Sequence, residues 1–187
     1  MTSPLISCIV PVFNGESTLG QALESIRAQT YERIEIVVVD DGSTDGSRDV
    51  AEAFAGPVKY VFQANAGPIA ARNTGIRSSS GSLLSFLDSD DRWHPDKLMR
   101  QLARFERNPE LDACVTLVQN YWDDELREEA ERMKGHFRSK PVPGYTSVAL
   151  LARRSLFECV GPYDQSLAHG GDTDFFARVE ESGAEIE

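Results

Sequence analysis

The chain is poor in cysteine and histidine, and its acidic side chains far outnumber its basic ones. Among 187 residues there are 3 Cys, 3 His and 19 Lys plus Arg against 30 Asp plus Glu, a formal net charge of −11. Cys8, Cys114 and Cys159 are far apart and set among apolar neighbours. They suit reduced buried thiols and provide no disulfide framework, zinc site or catalytic thiol. The deficit of Lys and Arg excludes a surface that grips nucleic acid or anionic lipid through phosphates, because such surfaces cluster basic side chains. A small anionic ligand held by a metal, a helix N-terminus or a few arginines stays open. No apolar run approaches the roughly 20 residues that cross a bilayer. The start, MTSPLISCIVPVF, has no basic segment before its apolar run, so no secretory signal is read and a cytoplasmic location is expected. Neither GxGxxG nor GxxxxGK[ST] occurs, which argues against a dinucleotide-binding Rossmann site and a P-loop.

What is present is a 41% hydrophobic chain long enough for one domain with a substantial core. Apolar and β-branched runs predict strands over 6–13, 33–40, 58–62 and 82–87. Between and after them, helical spacing predicts helices over 17–29, 46–55, 68–79 and 95–107. Strand alternating with helix is the pattern of a mostly parallel α/β sheet with both faces covered. Further on, 112–121 and 146–152 read as strands, and 155–160 and 172–181 as helices. The charged run 123–134 is expected to be an exposed helix, with a loop over the acceptor side as the alternative. The closing GAEIE reads as the start of another strand, so a longer parent protein is also an expectation.

Open parallel sheets bind ligands at the carboxyl ends of their strands. Three loops there are PVFNG, DDGSTDGS and LDSDD. The last places Asp88, Asp90 and Asp91 within four positions, where like charges repel and raise one another's pKa values, so a cation is the natural remedy. On an extended segment Asp88 and Asp90 converge while Asp91 turns away. A hard ion such as Mg²⁺ or Mn²⁺ takes oxygen ligands and needs only one or two carboxylates when substrate phosphates complete its shell.

IVPVFNGESTLGQALESIRAQTYERIEIVVVDDGSTDGS, followed by ARNTGI, LDSDD and GGDTDFFAR, resembles the family 2 glycosyltransferases over about residues 7–178. The resemblance implies a GT-A fold, Rossmann-like and in a single domain. It implies an inverting, metal-dependent enzyme that moves a sugar from a nucleotide-diphosphate donor, a UDP-sugar, to a hydroxyl on a glycan, lipid or protein. Residues 1–110 would form the donor half and 111–187 the acceptor half; a homo-oligomer is compatible with either.

By motif position the resemblance makes Asp90 the ligand of Mn²⁺ or Mg²⁺. Asp88 becomes a ribose or water-mediated metal partner, the alternative for the cluster being a helix cap after Trp93. Asp41 would accept from the donor base, with Asp40 bracing the loop and an Asx-type turn as the alternative. Pro11 and Phe13 would wall the base, unless Phe13 is a core residue. Arg72 would face the donor phosphates, unless it is a surface arginine. Asp172 is expected as the catalytic base in preference to Asp174, the alternative being an N-cap on the last helix. The family commonly has Glu before that Asp; here Gly171 stands there. His94 and His169 read as local structure. The other function class is a nucleotide-sugar-binding module with little or no turnover.

Overall fold

The computed structural model describes residues 3–122, 126–136, 139–167 and 169–187. Its framework grows from the most apolar strands, β1 (Ile6–Val12) and β2 (Ile34–Asp40), which pair in parallel from Ile6 opposite Ile34 to Val12 opposite Asp40. β3 (Val58–Phe62) lies parallel on the far side of β2, and β4 (Leu83–Phe86) parallel on the far side of β1. β8 (Leu150–Arg153) then runs antiparallel to both β4 and β5 (Ala113–Val115), giving the six-strand order β3-β2-β1-β4-β8-β5. This mostly parallel sheet carries helices on both faces.

The side-chain alternation of a strand assigns the faces. Ile6, Cys8, Val10 and Val12 join a cluster with α1 (Leu19–Arg27), α2 (Ser47–Ala53) and α4 (Lys97–Arg107) through Leu23, Ala51 and Leu102. Ile9 points the other way, into a cluster with Phe157 of α6 (Arg154–Val160) and Phe175 of α7 (Gly171–Glu181). α3 (Pro68–Ser78) lies against β1 and β2 on that second face, with Ala71 packed on Val37 and Val39. Gly75 permits this close approach: a Cβ there would sit 2.2 Å from Ile9 Cγ2. Gly75→Ala is expected to lower stability by about 1 kcal/mol, overpacking outweighing the gain in helix propensity. A fall in the urea midpoint with unchanged slope measures it.

Two expected strands come out differently. The stretch 112–121 divides, because after Val115 pairs with Leu150 the chain leaves the main sheet. β6 (Leu117–Val118) pairs instead with β7 (Val142–Pro143) in a separate two-stranded ribbon. The stretch 146–152 opens with a 3₁₀ turn, Ser147–Ala149, before β8 begins, since Ser147 is drawn into contacts away from the ladder. The charged run forms an exposed helix, α5 (Arg127–Arg132), while 123–125 fall outside the described residues. At the end of the chain Ile186 bridges Ala113 in parallel, so GAEIE does add to the sheet edge. Among the described residues no helix is long and apolar enough to cross a membrane.

Candidate functional site

Because β1 to β4 are parallel, their carboxyl ends meet on one edge, and there a cleft of about 480 Å³ opens. Pro11 and Phe13 come from the end of β1, Asp41 from the end of β2, Arg72 from α3, and Asp88 and Asp90 from the turn after β4; all six line that cleft. Phe13 is 52% exposed, because β1 ends at Val12, and so is not a core residue.

The β1–α1 and β2–α2 loops are fastened to each other. Asn14, held at φ 52°, accepts from the Thr44 amide at 2.9 Å, its own amide donates to Ser43 Oγ, and the Gly15 amide donates to Ser47 Oγ at 2.8 Å. Asp40 braces the second loop, accepting from the Ser43 amide at 2.7 Å and from the Tyr60 hydroxyl at 2.6 Å. Asp41, 2% exposed, accepts from Gln63 Nε2 and from the amides of Ala66 and Gly67 at 2.6–2.9 Å. It therefore also fixes the approach to α3. A carboxylate has about four acceptor sites, so one remains for a ligand.

The carboxylate cluster lies on a turn rather than an extended segment: the Asp91 amide donates to the Asp88 carbonyl at 3.0 Å. The convergence of Asp88 and Asp90 toward the cleft thus comes from turn geometry and not from strand alternation. Neither Asp90 nor Asp91 caps a helix, since α4 begins only at Lys97 and its N-cap is Asp96. Asp88 receives Arg72 Nη2 at 2.6 Å. Burial opposes the Arg72 charge, but Asp88, and Asp172 beyond it, outweigh that and hold its pKa above the usual guanidinium value. Arg72 Nε is buried and has no hydrogen-bond partner among the described residues. Burial, then the charges of Asp88 and Asp90, push the Asp91 carboxyl up to about 6. Among the described residues no group of three or more His, Cys, Asp or Glu side chains could by itself hold a metal ion. A hard cation at this turn would need ligand oxygens to complete its shell. Beside Asp90 and Asp91, Tyr121, Trp122 and Leu126 line a second hollow of about 290 Å³.

Asp172 stands in the first turn of α7, whose N-terminus has no side-chain cap, so it is not an N-cap. Its Oδ1 accepts from Ser147 Oγ, which lies 2.9 Å from the buried Tyr163 hydroxyl. Asp174 is occupied elsewhere, in a 2.7 Å ion pair with Arg178 that ties α7 to the carbonyls of residues 160–162. Gly171 is buried against α3: a Cβ there would meet Ile69 Cδ1 at 2.8 Å. Three residues of this neighbourhood escaped the sequence reading. Asn73, in the ARNTGI motif beside Arg72, clamps Tyr163 through both its backbone carbonyl and its amide, at 2.7 and 3.0 Å. Ser147 and Tyr163 both lie in SVALLARRSLFECVGPYDQSL, a segment that also resembles the family and is expected to shape the acceptor side, but their pairing gave no signal, since Ser147 is 25 residues from Asp172 and 16 from Tyr163. His94 is local structure, its Nδ1 accepting from the Asp96 amide, and His169 is exposed.

The chain is similar to proteins that carry glycosyltransferase names. An uncharacterized glycosyltransferase, RP339, of Rickettsia prowazekii (strain Madrid E) is 30% identical over 184 residues, covering 93% of this chain and 58% of that protein. Glycosyltransferase GlyA of Streptococcus pneumoniae serotype 4 is 51% identical over 89 residues, 46% of this chain and 13% of the relative. The chain thus spans little more than half the length of the Rickettsia relative. Among solved structures, S. aureus TarS 1-349 in complex with UDP-GlcNAc has a TM-score of 0.79 at 22% identity, covering 97% of this chain and 55% of that one. Mannosyltransferase PcManGT from Pyrobaculum calidifontis, in complex with GDP-Man and Mn²⁺, has a TM-score of 0.77 at 20% identity, covering 99% and 54%. Those likenesses establish the fold, GT-A. Residues 7–161, most of the chain, match the description Glycosyl transferase family 2, and to that family the chain belongs.

Proposed function

We propose that the chain carries out metal-dependent, inverting transfer of a sugar from a nucleotide-diphosphate donor, a UDP-sugar, to an acceptor hydroxyl. The observation that carries this reading is the convergence of Pro11, Phe13, Asp41, Arg72, Asp88 and Asp90 on one cleft. Phe13 offers an exposed aromatic face for the base, and Pro11 lines the same cleft. Asp41 uses its remaining acceptor site for a base N–H. The Arg72 Nε is a buried donor lacking an acceptor among the described residues, and a donor phosphate oxygen would satisfy it. Asp88 holds Arg72 in that pose and faces the ribose. Asp90, exposed beside it, would hold Mn²⁺ or Mg²⁺. Such an ion, when bound, neutralises charge on the departing nucleoside diphosphate.

Asp172 takes the proton of the acceptor hydroxyl as its oxygen bonds to the anomeric carbon and the bond to the diphosphate oxygen breaks, the electron pair leaving with the nucleotide. Everything lining the cleft precedes residue 110 and Asp172 follows it, which supports a donor half and an acceptor half divided there. Calorimetric titration of UDP, GDP, dTDP and CMP, with and without Mn²⁺, tests the donor site. UDP should bind more tightly with Mn²⁺, and Asp90→Ala should remove roughly tenfold or more of that gain. Absence of nucleotide binding to the folded protein would refute the site. The alternative, a binding module without turnover, is favoured by Gly171 standing where the family commonly has Glu, and predicts tight donor binding with no release of nucleoside diphosphate.

A further inference from the structure

We propose that Ser147 and Tyr163 are positioning residues for the base, acting as a one-directional hydroxyl chain from Tyr163 through Ser147 to Asp172. This rests on the reading of Asp172 as the base. A carboxylate can only accept, so the single Ser147 proton goes to Asp172 Oδ1. Burial pushes the Tyr163 hydroxyl well above its ordinary value, so it keeps its proton. With the serine proton committed, the tyrosine proton points to Ser147 Oγ across the 2.9 Å contact. Each hydroxyl therefore has one orientation, and Oδ1 is pinned while Oδ2 is left for the acceptor.

The chain is anchored at its far end by rigid structure. Tyr163 packs against Phe175 at a centroid distance of 4.8 Å and edge-on to Phe86 at 5.7 Å. Asn73 holds its backbone on both sides. Asn73 is one residue from Arg72 on α3, so the helix that presents the phosphate-facing arginine also sets the base. The base is thereby tied to that arginine through one covalent link, Arg72 to Asn73, and three hydrogen-bonded ones, Asn73 to Tyr163, Tyr163 to Ser147 and Ser147 to Asp172. Displacing a reacting group by about 1 Å can cost on the order of 100-fold in rate, which is the scale on which such anchoring acts.

The test is release of nucleoside diphosphate from UDP-N-acetylglucosamine or GDP-mannose, whichever binds, with water as acceptor. Ser147→Ala should lower kcat by about 10- to 100-fold and Tyr163→Phe by about 3- to 10-fold, with KM and calorimetric donor affinity unchanged. Because the hydroxyls act in series, Tyr163→Phe should add little in the Ser147→Ala background, whereas independent structural damage would multiply. Tyr163→Phe keeps the ring in its aromatic cluster, so a folded variant is assured of comparison through its melting temperature and donor binding. If Asp172→Asn abolishes release while both hydroxyl variants retain wild-type kcat, the chain has no positioning role. If Asp172→Asn itself retains wild-type kcat, the base assignment falls and this inference with it.

Discussion

Asp172→Asn should reduce sugar transfer by about 100- to 10,000-fold, the usual contribution of a general base, while donor affinity stays within about twofold. The substitution keeps shape and retains an oxygen to accept from Ser147, so the fold around α7 is preserved. What it removes is the capacity to take a proton. Asp174→Asn is the matched control: its carboxylate is paired with Arg178, and losing that pair should cost stability with little effect on kcat. A variant pair in which Asp174→Asn carries the catalytic loss would reassign the base. Donor affinity is the readout that separates this from damage to the cleft, because Asp172 is not among its lining residues. A parallel fall in affinity would mean that Asp172 acts through its field on Arg72 instead.

The cleft was legible because its lining residues sit in short motifs at the ends of strongly apolar strands. A run such as IEIVVVD declares both a buried strand and the position of its carboxyl end, and parallel strands bring such ends together. The geometry of LDSDD was less legible: alternation suggested convergence on an extended segment, whereas the hydrogen bond between Asp91 and Asp88 makes a turn. Phe13 and Asp41 show the two ways a local reading falls short. Whether Phe13 faced core or solvent depended on where β1 ended, by a single residue. Asp41 was identified as a ligand-facing carboxylate, yet its bonds to Gln63, Ala66 and Gly67 also make it the support of the next loop. Beyond residue 111, pairing is decided by partners distant in sequence. Val115 opposite Leu150, and Ser147 between Tyr163 and Asp172, have no periodic signature to read.

Lys97 makes the stability of the fold depend on pH in a direction opposite to that of a salt-bridged lysine. Its ammonium is buried beneath β4, with Gln101 Oε1 at 2.9 Å, Ser85 Oγ at 3.0 Å and the Trp93 ring centroid at 4.2 Å, and among the described residues no carboxylate pairs with it. Burial is the dominant cause, and it lowers the pKa from 10.5 to about 7, the nearby Cys8 and Cys114 opposing only weakly. Between those values the unfolded chain holds a proton on Lys97 that the folded chain has released. Stability therefore rises with pH, at up to about 1.4 kcal/mol per unit. Below about 7 both states are protonated and the slope from this group vanishes. Cys8 and Cys114 act in the opposite sense, since burial raises both above their ordinary value of 9.0 and so favours the unfolded chain above it. Urea unfolding should consequently show a gain of about 1 kcal/mol from pH 7 to pH 8.5, followed by a maximum near pH 9. In Lys97→Met the rise should disappear while the decline above pH 9 persists. The variant leaves Gln101 Oε1 without its donor, at a cost of about 1–3 kcal/mol, so its absolute stability is not the diagnostic quantity. A rise that survives in Lys97→Met would mean that Lys97 stays charged in the folded protein, with Ser85, Gln101 and Trp93 together compensating its burial.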